Sequence, residues 1–188
     1  MGCDIHSFAE VKRKNKWEKV NDEIFPDYGD KKTDEPFSWR SYSMFAFLAD
    51  VRNYDHCTPL SEPKGLPKDS EFLNTPLESE EMRSYWTEEP VKIETNFDDI
   101  DNDWNYHSKS YLTLKELTDF DYETKFWNRR VTKQTAPNCF NGASLAEEGE
   151  GETVSYRENL GQGFFDVIEI LKGLGKPEDV RIVFWFDN

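Results

Sequence analysis

The chain opens MGCDIH, so a thiol, a carboxylate and an imidazole fall within four positions, Cys3 to His6. Residues 3 to 12, CDIHSFAEVK, alternate in the manner of a strand, whose side chains point to opposite faces with a period of two. Asp4 and His6 then share a face about 6.6 Å apart. Asp-x-His at a strand end can offer two ligands to one divalent metal. Completing the set would take Asp50, Asn53, His56 or His107. A second chemistry needs no metal: His6 and His107 could act as acid and base in phosphodiester cleavage. Cys3 has the opposite parity to His6, which disfavours a Cys–His dyad and places Cys3 in the core with Ile5.

Two further blocks supply groups for an anionic ligand. DVRN brings Arg52 and Asn53 behind an expected helix, and arginine presents a planar fork to phosphate or carboxylate. HSKS surrounds His107 with Ser108, Lys109 and Ser110, just ahead of an expected helix start, where backbone N–H groups favour anions. His56 completes the ligand-binding candidates. Asp99, Asp101 and Asp103 imitate the opening of a calcium loop, but Trp104 stands where that loop needs glycine and Ser110 where it needs glutamate. NLGQG at 159–163 lacks the preceding strand of a nucleotide-binding glycine loop.

The elements that must position these groups are legible in outline. SYSMFAFLAD, 41–50, carries a helical apolar stripe. Thr113 with Glu116, and Ser155 with Glu158, have the spacing of capping boxes. The second box leads into Phe164, Phe165, Ile168, Leu171 and Leu174, read as one helix ending at Gly173 or Gly175. Residues 54–78 read as a long ordered excursion, 79–86 as a short helix, and 122–132 as strand or helix. VRIVFWF, 180–186, reads as a buried strand. These features predict a single α+β domain over residues 1–188. Its sheet is mixed or antiparallel and includes the N-terminal and C-terminal strands, with several helices packed on it. An acidic, Gly-rich stretch at about 135–153 is expected to be a mobile loop.

Composition narrows the function classes. The net charge of −15 repels phosphate backbones and anionic bilayers, so direct nucleic-acid binding is not expected. No apolar run reaches the roughly 18 residues of a membrane span, and the start lacks the basic-then-apolar pattern of an export signal. The three cysteines, Cys3, Cys57 and Cys139, are odd in number and widely spaced, which reads as free thiols in a reducing cytoplasm. Aromatic residues make up 15% of the chain, enough for an aromatic core or a stacking surface.

MGCDIH, SYSMFAFLADVRN, PKGLPKD and HSKSYLTLKEL together resemble a family of small proteins of tailed phages and prophages. That resemblance brings no established activity and no catalytic residue. It implies an accessory, counter-defence role in the cytoplasm of an infected bacterial host. Three functions follow as expectations. The first is sequestration of a small phosphorylated nucleotide signal of bacterial immunity. The second is a phosphoesterase that hydrolyses such a cyclic nucleotide, with His6 and His107 catalytic. The third is an acidic decoy that blocks a basic host protein. The sequence leaves open whether the protein is an enzyme, whether a divalent metal binds through Asp4 and His6, and whether the chain forms a homo-oligomer.

Overall fold

A computed structural model of the chain describes residues 2–27, 29–76, 95–133, 142–145 and 150–187. The elements run β1 (Asp4–Arg13), β2 (Lys16–Lys19), β3 (Phe25–Pro26), β4 (Lys32–Thr33), α1 (Tyr42–Ala49), α2 (Asn96–Asn102), β5 (His107–Thr113), α3 (Leu114–Asp119), β6 (Lys125–Asn128), β7 (Arg130–Lys133), β8 (Gly142–Leu145), β9 (Glu152–Ser155), α4 (Tyr156–Leu160), α5 (Gln162–Lys172) and β10 (Val180–Asp187). The expected α+β architecture is present, with the first and last strands side by side.

The main sheet has the order β2-β1-β10-β5 and is antiparallel throughout. Along the β1–β10 pair, Ile5 faces Phe186, His6 faces Trp185, Phe8 faces Val183 and Glu10 faces Arg181. Period two divides these rows between two sides. Cys3, Ile5, Ala9, Val11, Val180, Ile182, Phe184, Phe186 and Leu112 belong to the larger core, with Met44, Phe45, Phe47 and Leu48 of α1, Leu114 and Leu117 of α3, and Phe164, Val167 and Leu171 of α5. On the other side Phe8, Val183 and Trp185 join Leu66, Leu73 and Ile100. The layer covering that side is built from the long excursion and from α2. The sheet is therefore sandwiched, and its side chains are buried on both faces over most of its length.

Local sequence explains most boundaries. Ser41 caps α1, and Asp50 closes it in the left-handed region at φ 58°. Both expected capping boxes form: Thr113 and Glu116 at α3, Ser155 and Glu158 at α4. Replacing Thr113 with alanine should cost about 1 kcal/mol, a fall of about 2–4 °C in Tm for a chain of this size, and serine at 113 should restore most of it. A thermal melt of both variants checks this.

Some expectations are corrected. The helix expected after Ser155 is two helices, because Gly161 turns the chain at φ 74° between α4 and α5. HSKS does lead toward the helix that starts at Leu114, but as the first half of strand β5, paired with β10. The acidic run 96–102 is helical, with Thr95 as its cap. The 122–132 region resolves as strands β6 and β7. The helix expected at 79–86 and Cys139 lie outside the described residues. Much of the loop expected at 135–153 does too, and its described parts contribute β8 and β9. Among the described residues, no helix is long and apolar enough to cross a membrane.

Candidate functional site

Asp187 occupies the last position of β10, opposite Asp4. Its Oδ1 accepts a hydrogen bond from the Asp4 backbone N–H at 3.1 Å. Its Oδ2 lies 3.1 Å from His6 Nε2. The His6 ring is stacked on Trp185, centroids 5.7 Å apart and planes 12° from parallel. Tyr106, arriving from the loop after α2, meets both rings edge-on at 5.4 and 6.0 Å. Both members of the His6–Asp187 pair are about one third exposed, so solvent or a ligand can reach them. His6 Nδ1 makes no hydrogen bond among the described residues.

The surroundings are charged on several sides. Arg40 forms a two-pronged pair with the Asp4 carboxylate, Nε to Oδ1 at 2.8 Å and Nη2 to Oδ2 at 2.6 Å, and this hydrogen bonding holds the Asp4 carboxyl below the usual range. Partial burial pushes Glu35 up, and the nearby His6 opposes that shift. The Tyr106 hydroxyl is pushed up by burial and then by Asp103, Asp99 and Asp187, so it stays protonated. On the core side, burial raises the Cys3 thiol against the lowering influence of the nearby Arg52 guanidinium. The neighbouring Tyr54 side chain shifts the Arg52 guanidinium further upward.

Backbone strain concentrates in the same chain segments. Arg52 and Ser108 adopt left-handed φ values of 51° and 49°, uncommon for residues with a Cβ. At Ser108 the cause is visible: the β5–β10 register shifts between Phe184 and Phe186. A bulge of this kind redirects side chains at a sheet end.

The candidates from the sequence distribute as follows. Asp4 and His6 share a face, with Cys3 and Ile5 in the core. DVRN meets MGCDIH through Arg52 and Cys3. His107 does not join His6. It pairs with Phe186 and stacks on that ring at 6.0 Å, whereas His6 sits on Trp185, and adjacent residues of β10 face opposite sides. His107 Nδ1 lies 3.0 Å from Ser108 Oγ, and its buried Nε2 has no hydrogen-bond partner among the described residues. Lys109 is turned to Asp101, donating to its carbonyl oxygen at 2.6 Å.

Asn53 is committed to its own loop. It donates to Asp50 and to the Cys57 carbonyl and accepts from the Cys57 N–H, at 2.6, 2.8 and 3.1 Å. His56 is exposed at φ 57°, with no contact to the His6 cluster. The residues do not fit a divalent metal held by Asp4 and His6. The Asp4 carboxylate is neutralised by a guanidinium that would repel a cation, and no group of three His, Cys, Asp or Glu side chains among the described residues is arranged to hold one.

Asp187, Trp185, Tyr106, Arg40 and Glu35 are absent from the sequence reading. One signal was available for Asp187. If the first and last strands pair antiparallel, the last polar residue after VRIVFWF falls beside Asp4 and His6. Tyr106, Arg40 and Glu35 come from loops whose course no periodicity reveals. Comparison with protein-family models, with curated proteins and with solved structures returned no match, so the geometry of this sheet end carries the functional reading.

Proposed function

We propose that the protein binds a small phosphorylated nucleotide at the Asp187 end of the sheet and cleaves a phosphoester in it, with His6 as general base. One observation carries this reading: an accessible imidazole is held at Nε2 by a carboxylate while Nδ1 has no hydrogen-bond partner among the described residues. Asp187 accepting from Nε2–H fixes the tautomer that leaves Nδ1 basic, the role a carboxylate plays beside a catalytic histidine. His6 would take the proton of the attacking hydroxyl or water at Nδ1 as that oxygen bonds to phosphorus, and give it back to the departing alkoxide oxygen as the ester P–O bond breaks. Arg40, still paired with Asp4 through Nε and Nη2, has Nη1 left to donate to a phosphate. Tyr106, kept protonated, is a hydrogen-bond donor beside the reacting group, and the aromatic cluster offers a stacking edge for a base. The counter-defence role and the bacterial-host setting implied by the phage resemblance are part of this proposal.

The opposite-face placement of His107 shapes it. Cleavage by two imidazoles is replaced by a single histidine and its carboxylate. The test is incubation with a panel of cyclic dinucleotides and ADP-ribose derivatives, followed by heat denaturation and chromatography. New products are the expected result. Intact ligand released on heating would show sequestration instead, and no depletion of any compound would sink both.

A decoy role has its own supporting observation. Trp104 is 89% exposed and follows a helix bearing Asp98, Asp99 and Asp101. An exposed indole among carboxylates suits contact with a basic protein surface. Trp104→Ser should leave the Tm unchanged, within about 0.5 kcal/mol of stability. A basic partner, if one is recovered, should lose affinity for this variant in a pull-down at matched salt.

A further inference from the structure

We propose that a cavity away from the His6 cluster, between Trp39 and the beginning of α5, binds a small amphipathic organic cation: an alkylguanidinium or alkylammonium group on an apolar stem. The cavity measures about 340 Å³ and is lined by Pro26, Asp27, Ser38, Trp39, Gly163 and Asp166. That is the small end of the range for ligand sites.

Its chemistry is apolar wall and carboxylate. Trp39 supplies the aromatic wall and is fixed in place. Phe37 meets it edge-on at 5.7 Å and itself stacks on Phe164 of α5 at 5.4 Å. Gly163 brings the helix close to the indole, since a Cβ there would stand 3.6 Å from Trp39 Cζ2. Two carboxylates complete the lining. Asp27 accepts from the Ser38 hydroxyl at 3.3 Å and Asp166 from the Gln162 amide at 2.8 Å. Both donors are neutral groups. Among the described residues, neither is ion-paired with a lysine or arginine.

An indole face attracts a cation through its quadrupole, and two carboxylates with no ion-pair partner among the described residues add Coulomb attraction at this solvent-open depression, strongest at low ionic strength. The net charge of −15 raises the local concentration of cations around the whole molecule. A phosphate or carboxylate would be repelled by the same lining. This ligand class is thus the reverse of the one proposed for the Asp187 end, and neither reading depends on the other.

Calorimetric titration with n-butylguanidinium, with N-butylurea as the neutral analogue of the same shape, tests the proposal at low ionic strength. Saturable binding of the cation and none of the urea is expected. The affinity should fall at least fivefold in Asp27→Asn/Asp166→Asn and in Trp39→Leu, with melting curves confirming that each variant is folded. A short blocked peptide containing one arginine forms a second arm. Tighter binding of the peptide than of n-butylguanidinium would identify a protein side chain as the source of the cation, and the reverse a free small molecule. Equal binding of the urea, no saturation by any cation, or an affinity unchanged in the double aspartate variant would overturn the assignment.

Discussion

His6→Ala is expected to lower turnover of the cleaved nucleotide by about 10²- to 10⁴-fold, the usual contribution of a positioned general base. The fold should survive, because both His6 and Asp187 are about one third exposed and neither is left as a buried unpaired charge. Asp187→Asn should be almost as damaging, for a different reason. An amide nitrogen facing His6 Nε2 would make that nitrogen accept, place the proton on Nδ1 and remove the base. The double variant should be little worse than either single one, as for groups that act as one unit. Asp4→Asn provides the contrast. It releases Arg40 without touching the His6–Asp187 pair, so its effect should fall on KM rather than kcat. Product formation measured under single-turnover conditions separates these cases. Unchanged rates in both His6→Ala and Asp187→Asn would remove His6 from the mechanism.

The second large effect is on stability and lies at the middle of the same sheet face. Arg181 is 3% exposed and Glu10 0%. Arg181 Nε donates to Glu10 Oε2 at 2.7 Å, and Nη1 to Asp69 Oδ1 at 2.8 Å. The Ser70 hydroxyl donates to Glu10 Oε1. The guanidinium lies over Trp17 at 4.1 Å and near Tyr111 at 5.4 Å. Arg181 thus ties β10 to β1, to the hairpin strand β2 and to the excursion at 69–70. Removing one partner of a buried pair strands the other charge. Arg181→Met should therefore destabilise the protein by about 3–5 kcal/mol.

The pH dependence of that loss has a definite sign. Burial already raises the Glu10 carboxyl above its ordinary value, with Ser70 and Arg181 acting against it. Without Arg181 the rise is larger. A carboxyl whose folded pKa is raised binds more protons in the native state, so stability falls as pH climbs from the unfolded value through the raised one. The penalty in Arg181→Met should shrink as pH is lowered into that interval. Glu10→Leu/Arg181→Met should recover much of the stability, because it removes both charges together. Urea denaturation at several pH values checks all three statements. Equal loss in the single and double variants would mean that packing of the arginine stem over Trp17, rather than charge, holds this face together.

Elements with a local cause were readable in the chain. Alternation in CDIHSFAEVK placed Cys3 and Ile5 inward and Asp4 and His6 outward, because one residue's parity settles its face. The two capping boxes located the starts of α3 and α4, since the Ser or Thr and its Glu lie within one turn of each other. The helix break at Gly161 was missed because the apolar spacing runs through it, and only the backbone conformation shows the turn. That HSKS forms a strand is not legible in its polar side chains, because a strand placed beside β10 gains its stability from pairing rather than from its own pattern.

The amino-acid order by itself pointed to the α+β class and to a sheet that contains both terminal strands, and it named candidate reactive residues near the N-terminus. Those follow from short-range rules of parity, capping and hydrophobic run length. The tertiary structure decided which of the reactive groups meet. Register across β1 and β10 brought Asp187 to His6, 181 residues apart, and a bulge in β5 went with His107 on the other side of the sheet. Closure of Arg40 on Asp4 removed a metal-ligand pair that spacing alone suggests. Such outcomes depend on strand register and loop course, which are set by the burial of the whole sheet on both faces, and a single residue's shift in register would have exchanged one constellation for another.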